Sequence, residues 1–235
     1  MTELDATVRA LLGELAASDP NCKRFGARAH GYRLAPTSSS SERLPADYRR
    51  FVGELGAGGA GPFYGLFDVR AAIAHPIEGP WGSGLPIAHA GCGYAVVLAL
   101  DGSIWLDARA IGVVERIAPS FTAYYVTWLD HLARNQLPDA HVPPGRCALA
   151  NALGGYLGVC EQRLGLAPGT IAGDALRDSL AALGPGAIAI AADRSALFGD
   201  GELVDPCLAC ACLVDNLGLG AEVVAPGIAP RPLRT

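Results

Sequence analysis

Apolar residues recur along the first segment at Leu4, Val8, Leu11, Leu12 and Leu15, a spacing that lays one stripe along a helix. Thr2 caps this predicted helix with Asp5 three residues on, and Asp19-Pro20-Asn21 ends it. The polar stretch that follows is irregular up to the serine run Ser38-Ser39-Ser40-Ser41 and reads as exposed. Beyond Leu44-Pro45 the helical spacing returns, with Tyr48, Phe51, Val52 and Leu55 on one face, and Gly56-Ala57-Gly58-Gly59 stops it.

From there the period shortens. Runs of β-branched and aromatic residues at 63–69, 85–89, 93–100 and 103–107, set between turn residues, predict a small antiparallel sheet. Asp101-Gly102 joins the last two as a tight hairpin turn, because Gly supplies the positive φ that such a turn demands. Ser120 caps a third helix whose Phe121, Tyr124, Tyr125, Trp128, Leu129 and Leu132 form a face fit to cover the sheet.

A proline-rich stretch over 136–146 reads as a linker, which divides the chain into 1–136 and an α-rich extension over 137–235. The extension predicts helices at 147–164 and 170–183, a buried strand at 187–192, a helix with Asp205 as cap and Pro206 at its first position, and a last strand at 221–225. Gly154-Gly155 either breaks the first of these helices or lets a neighbour approach closely. The extension either adds to the first unit's sheet or packs on the same core as a helical cap. The class is α+β, a twisted sheet wrapped by helices.

Composition narrows the function. With 51% hydrophobic residues the chain can build a core, and a formal charge of -5 with its cations scattered singly leaves no basic stripe for nucleic acid. No apolar run reaches the ~20 residues of a membrane span, and the acidic first helix lacks the order of a secretory signal, so the expected location is cytoplasmic. An odd count of 7 cysteines fits reduced thiols better than a disulfide framework.

The middle of the chain carries a series of motifs: Leu44-Pro45-Ala46-Asp47-Tyr48-Arg49-Arg50-Phe51-Val52, then Gly56-Ala57-Gly58-Gly59, Phe63-Tyr64-Gly65-Leu66-Phe67, Leu85-Pro86-Ile87-Ala88, Gly91-Cys92-Gly93-Tyr94, Ile104-Trp105-Leu106-Asp107 and Ser120-Phe121. In this order and spacing, over residues 22–134, the series resembles the SUKH superfamily, known from yeast cell-wall-synthesis regulators and many bacterial immunity proteins. The resemblance implies an α+β domain, not an enzyme, that binds a partner protein: a toxin to be neutralised or, as in the yeast relatives, an endogenous protein that it regulates or scaffolds. The matched residues themselves read as structural, with Tyr48, Phe51 and Phe121 as core anchors.

Candidate chemistry is sparse. The five histidines show no metal-ligand spacing, and the Gly-rich 53–61 stretch lacks the Lys-Ser/Thr end of a phosphate loop. No cofactor is expected. His89 and Cys92 are too close in sequence to meet as a base–nucleophile pair without a special turn. Trp81, amid turn residues, is either an interface anchor or folds back over the sheet edge. Asp68, Glu78, Asp101 and Asp107 fall near strand ends as an acidic rim suited to a basic toxin domain, and His89 and Trp105 complete the candidate partner-binding set. Cys207, Cys210 and Cys212 are the alternative, a metal- or thiol-dependent site, with Cys147 and Cys160 as the available partners; flanking Ala, Leu and Val equally suit a buried helix with Cys as a small apolar residue.

Overall fold

The computed structural model describes residues 3–38, 43–134 and 148–234. Five strands hydrogen-bond in chain order into one antiparallel sheet: β1 Ile77–Gly79, β2 Gly82–His89, β3 Ala95–Leu98, β4 Ile104–Ala108 and β5 Val113–Ala118. With helices before and after the sheet, the α+β class is as expected. The Asp101-Gly102 hairpin forms as read, with Gly102 at φ 89 and the Ser103 N–H donating to the Asp101 carboxylate at 2.9 Å.

One face of this meander is closed by helices. The first, α1 (Glu3–Ser18), buries Val8, Leu12 and Leu15. It ends at Asp19, whose carboxylate accepts the N–H groups of Lys23 and Arg24 and the Tyr32 hydroxyl at 2.6 Å. After the short α2 (Ala27–His30), α3 (Ala46–Glu54) follows Pro45. Later in the chain, α5 (Phe121–Ala133) starts where the Ser120 hydroxyl accepts the Ala123 N–H at 3.1 Å. The two helices interlock through aromatic rings: Phe121 lies 4.6 Å from Tyr48 and 4.9 Å from Phe51 between ring centres. Asp47 of α3 also accepts the Thr122 N–H of α5 at 2.9 Å, so one helix caps the other.

Several expectations change. The strand expected at 63–69 does not form: Phe63 (φ 55) and Gly65 (φ 91) are left-handed, which breaks an extended ladder, and only isolated bridges from Leu66 to Gly59 and Ala88 remain. Asp68 then starts α4 (Val69–Ala74) by accepting the Arg70 N–H at 2.9 Å. Two edge strands escaped the pattern. β1 is only three residues long beside Gly79 and Pro80, and β5 carries Glu115 and Arg116, charges that suit an exposed edge.

The expected cap Thr2, most of the serine run, the 136–146 linker and Cys147 lie outside the described residues. Beyond them come α6 (Ala148–Leu164), α7 (Gly173–Ala181) and α8 (Leu208–Asn216). α6 runs unbroken through Gly154 and Gly155, and neither faces a neighbour. The strands expected at 187–192 and 221–225 reduce to isolated bridges, Ile188 with Val224 and Ala191 with Leu203, and Ala221–Val223 is a single 3-10 turn. The Asp205 cap is also corrected. Its carboxylate accepts the Gly227 N–H at 2.9 Å instead, and the helix starts two residues later with Cys207 in the N-cap position. The described residues of the extension add no strand to the sheet; Leu149, Leu197, Phe198 and Val214 join the same hydrophobic core as the helices and strands of the first unit.

Two buried imidazoles tie this core to pH. Burial pushes His89 down to about 3 and His30 to about 4, and His30 Nδ1 accepts the Tyr32 N–H at 3.0 Å, which fits the neutral ring. The unfolded chain takes up these protons near pH 6.5 and the folded chain does not. Stability is therefore whole above about pH 6.5 and falls as pH drops towards 4. His30→Asn keeps an acceptor in place and removes one titration, so the slope of unfolding free energy against pH between about 6.5 and 4, measured by denaturant titration, is shallower than in the parent.

Candidate functional site: three thiols between the sheet and the C-terminal helix

The β2–β3 connection is a tight turn with Gly91, Cys92 and Gly93 at φ 84, 51 and 79, three left-handed residues in succession. Left-handed backbone strains any residue with a Cβ, so Cys92 is held there by its surroundings. Its N–H donates to the Asp205 carbonyl at 2.6 Å. The Tyr94 N–H donates to the Gly91 carbonyl at 2.9 Å, and the Ser195 hydroxyl to the Gly93 carbonyl at 2.5 Å. Gly91 is required for contact as well as conformation: a Cβ there would overlap the Pro206 carbonyl oxygen and Cys207 Cα.

This docking brings the Cys92 side chain to the amino end of α8. The Cys207 N–H donates to Cys92 Sγ at 3.3 Å across 115 residues of chain. Cys210, one turn into α8, lies with its Sγ 3.6 Å from the Sγ of Cys92 and 3.6 Å from that of Cys207. All three are buried, and their sulfurs lie within 4.8 Å of one another. The proton-sharing contact with Cys210 and then that with Cys92 favour the thiolate at Cys207, supported by backbone N–H groups at the helix start, while the contacts of Cys210 with Cys207 and then with Cys92 hold the Cys210 thiol up. Contact with Cys207 likewise raises the Cys92 thiol.

The wall beside the cluster is aromatic. Tyr64 stacks on His89 at 5.2 Å between ring centres and donates its hydroxyl to the Pro206 carbonyl at 2.6 Å, while Phe198 packs on the other imidazole contact at 5.0 Å. His89 is 3% exposed, and its Nε2 has no hydrogen-bond partner. An unpaired buried nitrogen is costly, and it sits on the strand that leads directly into the Cys92 turn.

Of the three cysteines grouped from the sequence, the structure brings two together. Cys207 and Cys210 belong together, but Cys212, half-buried further along α8, is outside the cluster, as are Cys160 and Cys22. The third member is Cys92. Its sequence signal was a cysteine between two glycines, a turn that can present a side chain, together with a Cys-x-x-Cys pair lacking a third ligand.

The partner-binding candidates separate into two groups. His89 and Asp107 are buried, at 3% each, and offer nothing to a partner's surface. The Asp107 carboxylate is taken by Arg109, at 2.6 Å from Nη2. Asp68, by contrast, caps α4, and Asp101 stays exposed in its turn, where the Ser103 hydroxyl and N–H hold its carboxyl below the usual range. Glu78 is exposed on β1. Trp81 folds back on the sheet, as one of its two readings had it: Nε1 donates to the Ile77 carbonyl at 3.1 Å, the indole lies over Gly79 and Gly84, and its ring is 5.8 Å from that of Trp105. Both indoles keep part of their surface exposed.

No family model, curated protein or solved structure matches this chain. No helix among the described residues is long and apolar enough to cross a membrane.

The docking geometry is testable at Gly91. Gly91→Ala meets both the left-handed penalty of about 1–2 kcal/mol and the backbone of 206–207. Gly112→Ala (φ 72) meets the same conformational penalty with nothing within 4 Å. The Gly91 variant is therefore the less stable of the two in thermal unfolding, and its Cys92 is alkylated faster under native conditions.

Proposed function

We propose that this chain is a protein-binding module of the SUKH superfamily that works in the cytoplasm as an immunity protein and neutralises a cognate toxin by direct binding. The observation that carries the reading is the indole pair on the outer face of the sheet. Trp105 alternates with the core-facing Ile104 and Leu106, so it points away from the helices, and Trp81 lies against it. Partly exposed tryptophans are the residues most enriched among energetic anchors of interfaces.

The rim of the patch carries charge of both signs. Asp101 lies at the tip of the β3–β4 hairpin beside Leu100, which is 65% exposed, whereas Glu78 alternates with the indole-facing Gly79 and points to the other face of β1. Arg116, opposite Trp105 on β5, and the part-exposed Arg109, paired with Asp107 and reaching the Glu78 carbonyl, give the patch two cations that a partner's acidic groups would meet. The motif residues that carry the family resemblance also converge on one core, in which Tyr48, Phe51, Leu66, Ile87, Tyr94 and Phe121 are buried. A toxin domain docked on this face would meet an apolar centre with a rim that carries both signs of charge.

The test is affinity capture by tagged full-length protein from its native lysate, followed by expression of the retained partner with and without this chain. The expected outcome is one stoichiometric partner that is toxic alone and harmless in the complex. Trp81→Ala with Trp105→Ala weakens that complex by about 30-fold or more, the size of a ~2 kcal/mol anchor, with the thermal midpoint measured alongside. A housekeeping partner would replace the immunity reading with a regulatory or scaffolding one. No partner, or a complex indifferent to both indoles, would overturn the proposal.

A further inference from the structure

We propose that Cys92, Cys207 and Cys210 form a three-thiolate site for one thiophilic divalent cation of the zinc class, which cross-links the β2–β3 turn to the amino end of α8. This rests on the cluster alone and is independent of any partner on the outer sheet face. Zinc–sulfur bonds of about 2.3 Å in a tetrahedron place neighbouring sulfurs about 3.8 Å apart. Two of the three sulfur pairs stand at 3.6 Å, and the whole set lies within 4.8 Å, so the thiols already occupy the spacing of one coordination sphere.

The surroundings fit that use. Cys92 is presented from a strained left-handed turn that its fixed partners hold in place, and the other two come from a Cys-x-x-Cys pair at a helix start. Such a pair directs two sulfurs to one point. The Cys207 N–H already donates to Cys92 Sγ, the kind of bond that orients a ligating thiolate. Close by, His89 is 3% exposed with Nε2 unpartnered, a polar group that packing alone leaves unexplained. Among the described residues these three form the one group of three or more His, Cys, Asp or Glu side chains close enough to share an ion.

The protons still held on the three sulfurs pass to solvent as each sulfur bonds the cation, so uptake releases protons and strengthens with pH. No electron moves. Three protein ligands leave one position of a tetrahedral ion for a solvent donor. The ion's role is structural: it joins two segments more than a hundred residues apart, as the 118-residue separation of Cys92 and Cys210 requires.

The experiment uses the full chain, reduced and stripped with a chelator, then titrated with cobalt(II) as a spectroscopic stand-in for zinc. The expected result is uptake of one equivalent, with thiolate-to-cobalt charge transfer in the near ultraviolet and the intense visible bands of a four-coordinate ion. Cys92→Ser, Cys207→Ser and Cys210→Ser each lose it, whereas Cys212→Ser and Cys160→Ser keep it. Because a ligand variant can fail to fold, alkylation of the unaltered chain is mapped by mass spectrometry with and without zinc. Zinc slows reaction at Cys92, Cys207 and Cys210 and leaves Cys22, Cys160 and Cys212 unchanged. Absence of stoichiometric uptake by the reduced chain, undiminished uptake by Cys92→Ser, or a Cys207–Cys210 disulfide that persists in reductant would each overturn the site.

Discussion

Backbone meets backbone where the Gly91-Cys92-Gly93 turn docks on residues 205–207, and the C-terminal half of the chain is positioned from that contact. The approach leaves no room for a Cβ at Gly91, and the Cys92 N–H and the Tyr64 hydroxyl both donate to carbonyls of the docked segment. Ser195 and Arg194 extend the same seam, donating to the Gly93 and Ala110 carbonyls. Polar backbone groups buried at a junction must be paired, and here each segment supplies the partners of the other. The three thiols meet because this seam is closed.

On the opposite face of the sheet the constraint is aromatic packing. Tyr48, Phe51, Phe121 and Tyr125 fill the space between α3 and α5, and the Tyr125 hydroxyl reaches the Ala60 carbonyl at 3.0 Å, tying the helix to the Gly-rich turn that ends α3. Tyrosine suits this place, since its ring packs and its hydroxyl satisfies an otherwise lone carbonyl. The sheet is thereby covered on the helical side, leaving its outer face to the indole pair at one end and the docked C-terminal segment at the other. The proposed partner surface and the proposed metal site are thus separate features of one sheet.

Burial decides which polar residues are available for function. Asp107 shares its strand with Trp105, yet Arg109 encloses its carboxylate, and that guanidinium also donates to the Glu78 carbonyl at 3.1 Å. Asp107 therefore holds the β4 end against β1. His89 is enclosed between Tyr64 and Phe198. Neither fate is visible in local composition, because a carboxylate near a strand end reads as solvated until the side chain that covers it is known.

Much of the first unit was legible because its signals are local. The apolar stripe of α1, the ring-bearing faces of α3 and α5, the Ser120 cap and the Asp101-Gly102 turn each lie within a single helix or a single hairpin, where side-chain period and φ preference act. β1 and β5 were missed because edge strands are held by pairing with a neighbour rather than by their own pattern. The region 63–69 misled for the converse reason: its residues suit a strand, but Phe63 and Gly65 adopt left-handed backbone to let Tyr64 reach Pro206 and His89. Cys207 and Cys210 could be paired from spacing alone. Only the tertiary structure selected Cys92 over Cys212 as their third member, because no local rule relates residues 115 positions apart, and the choice rests on a backbone contact that a single glycine permits.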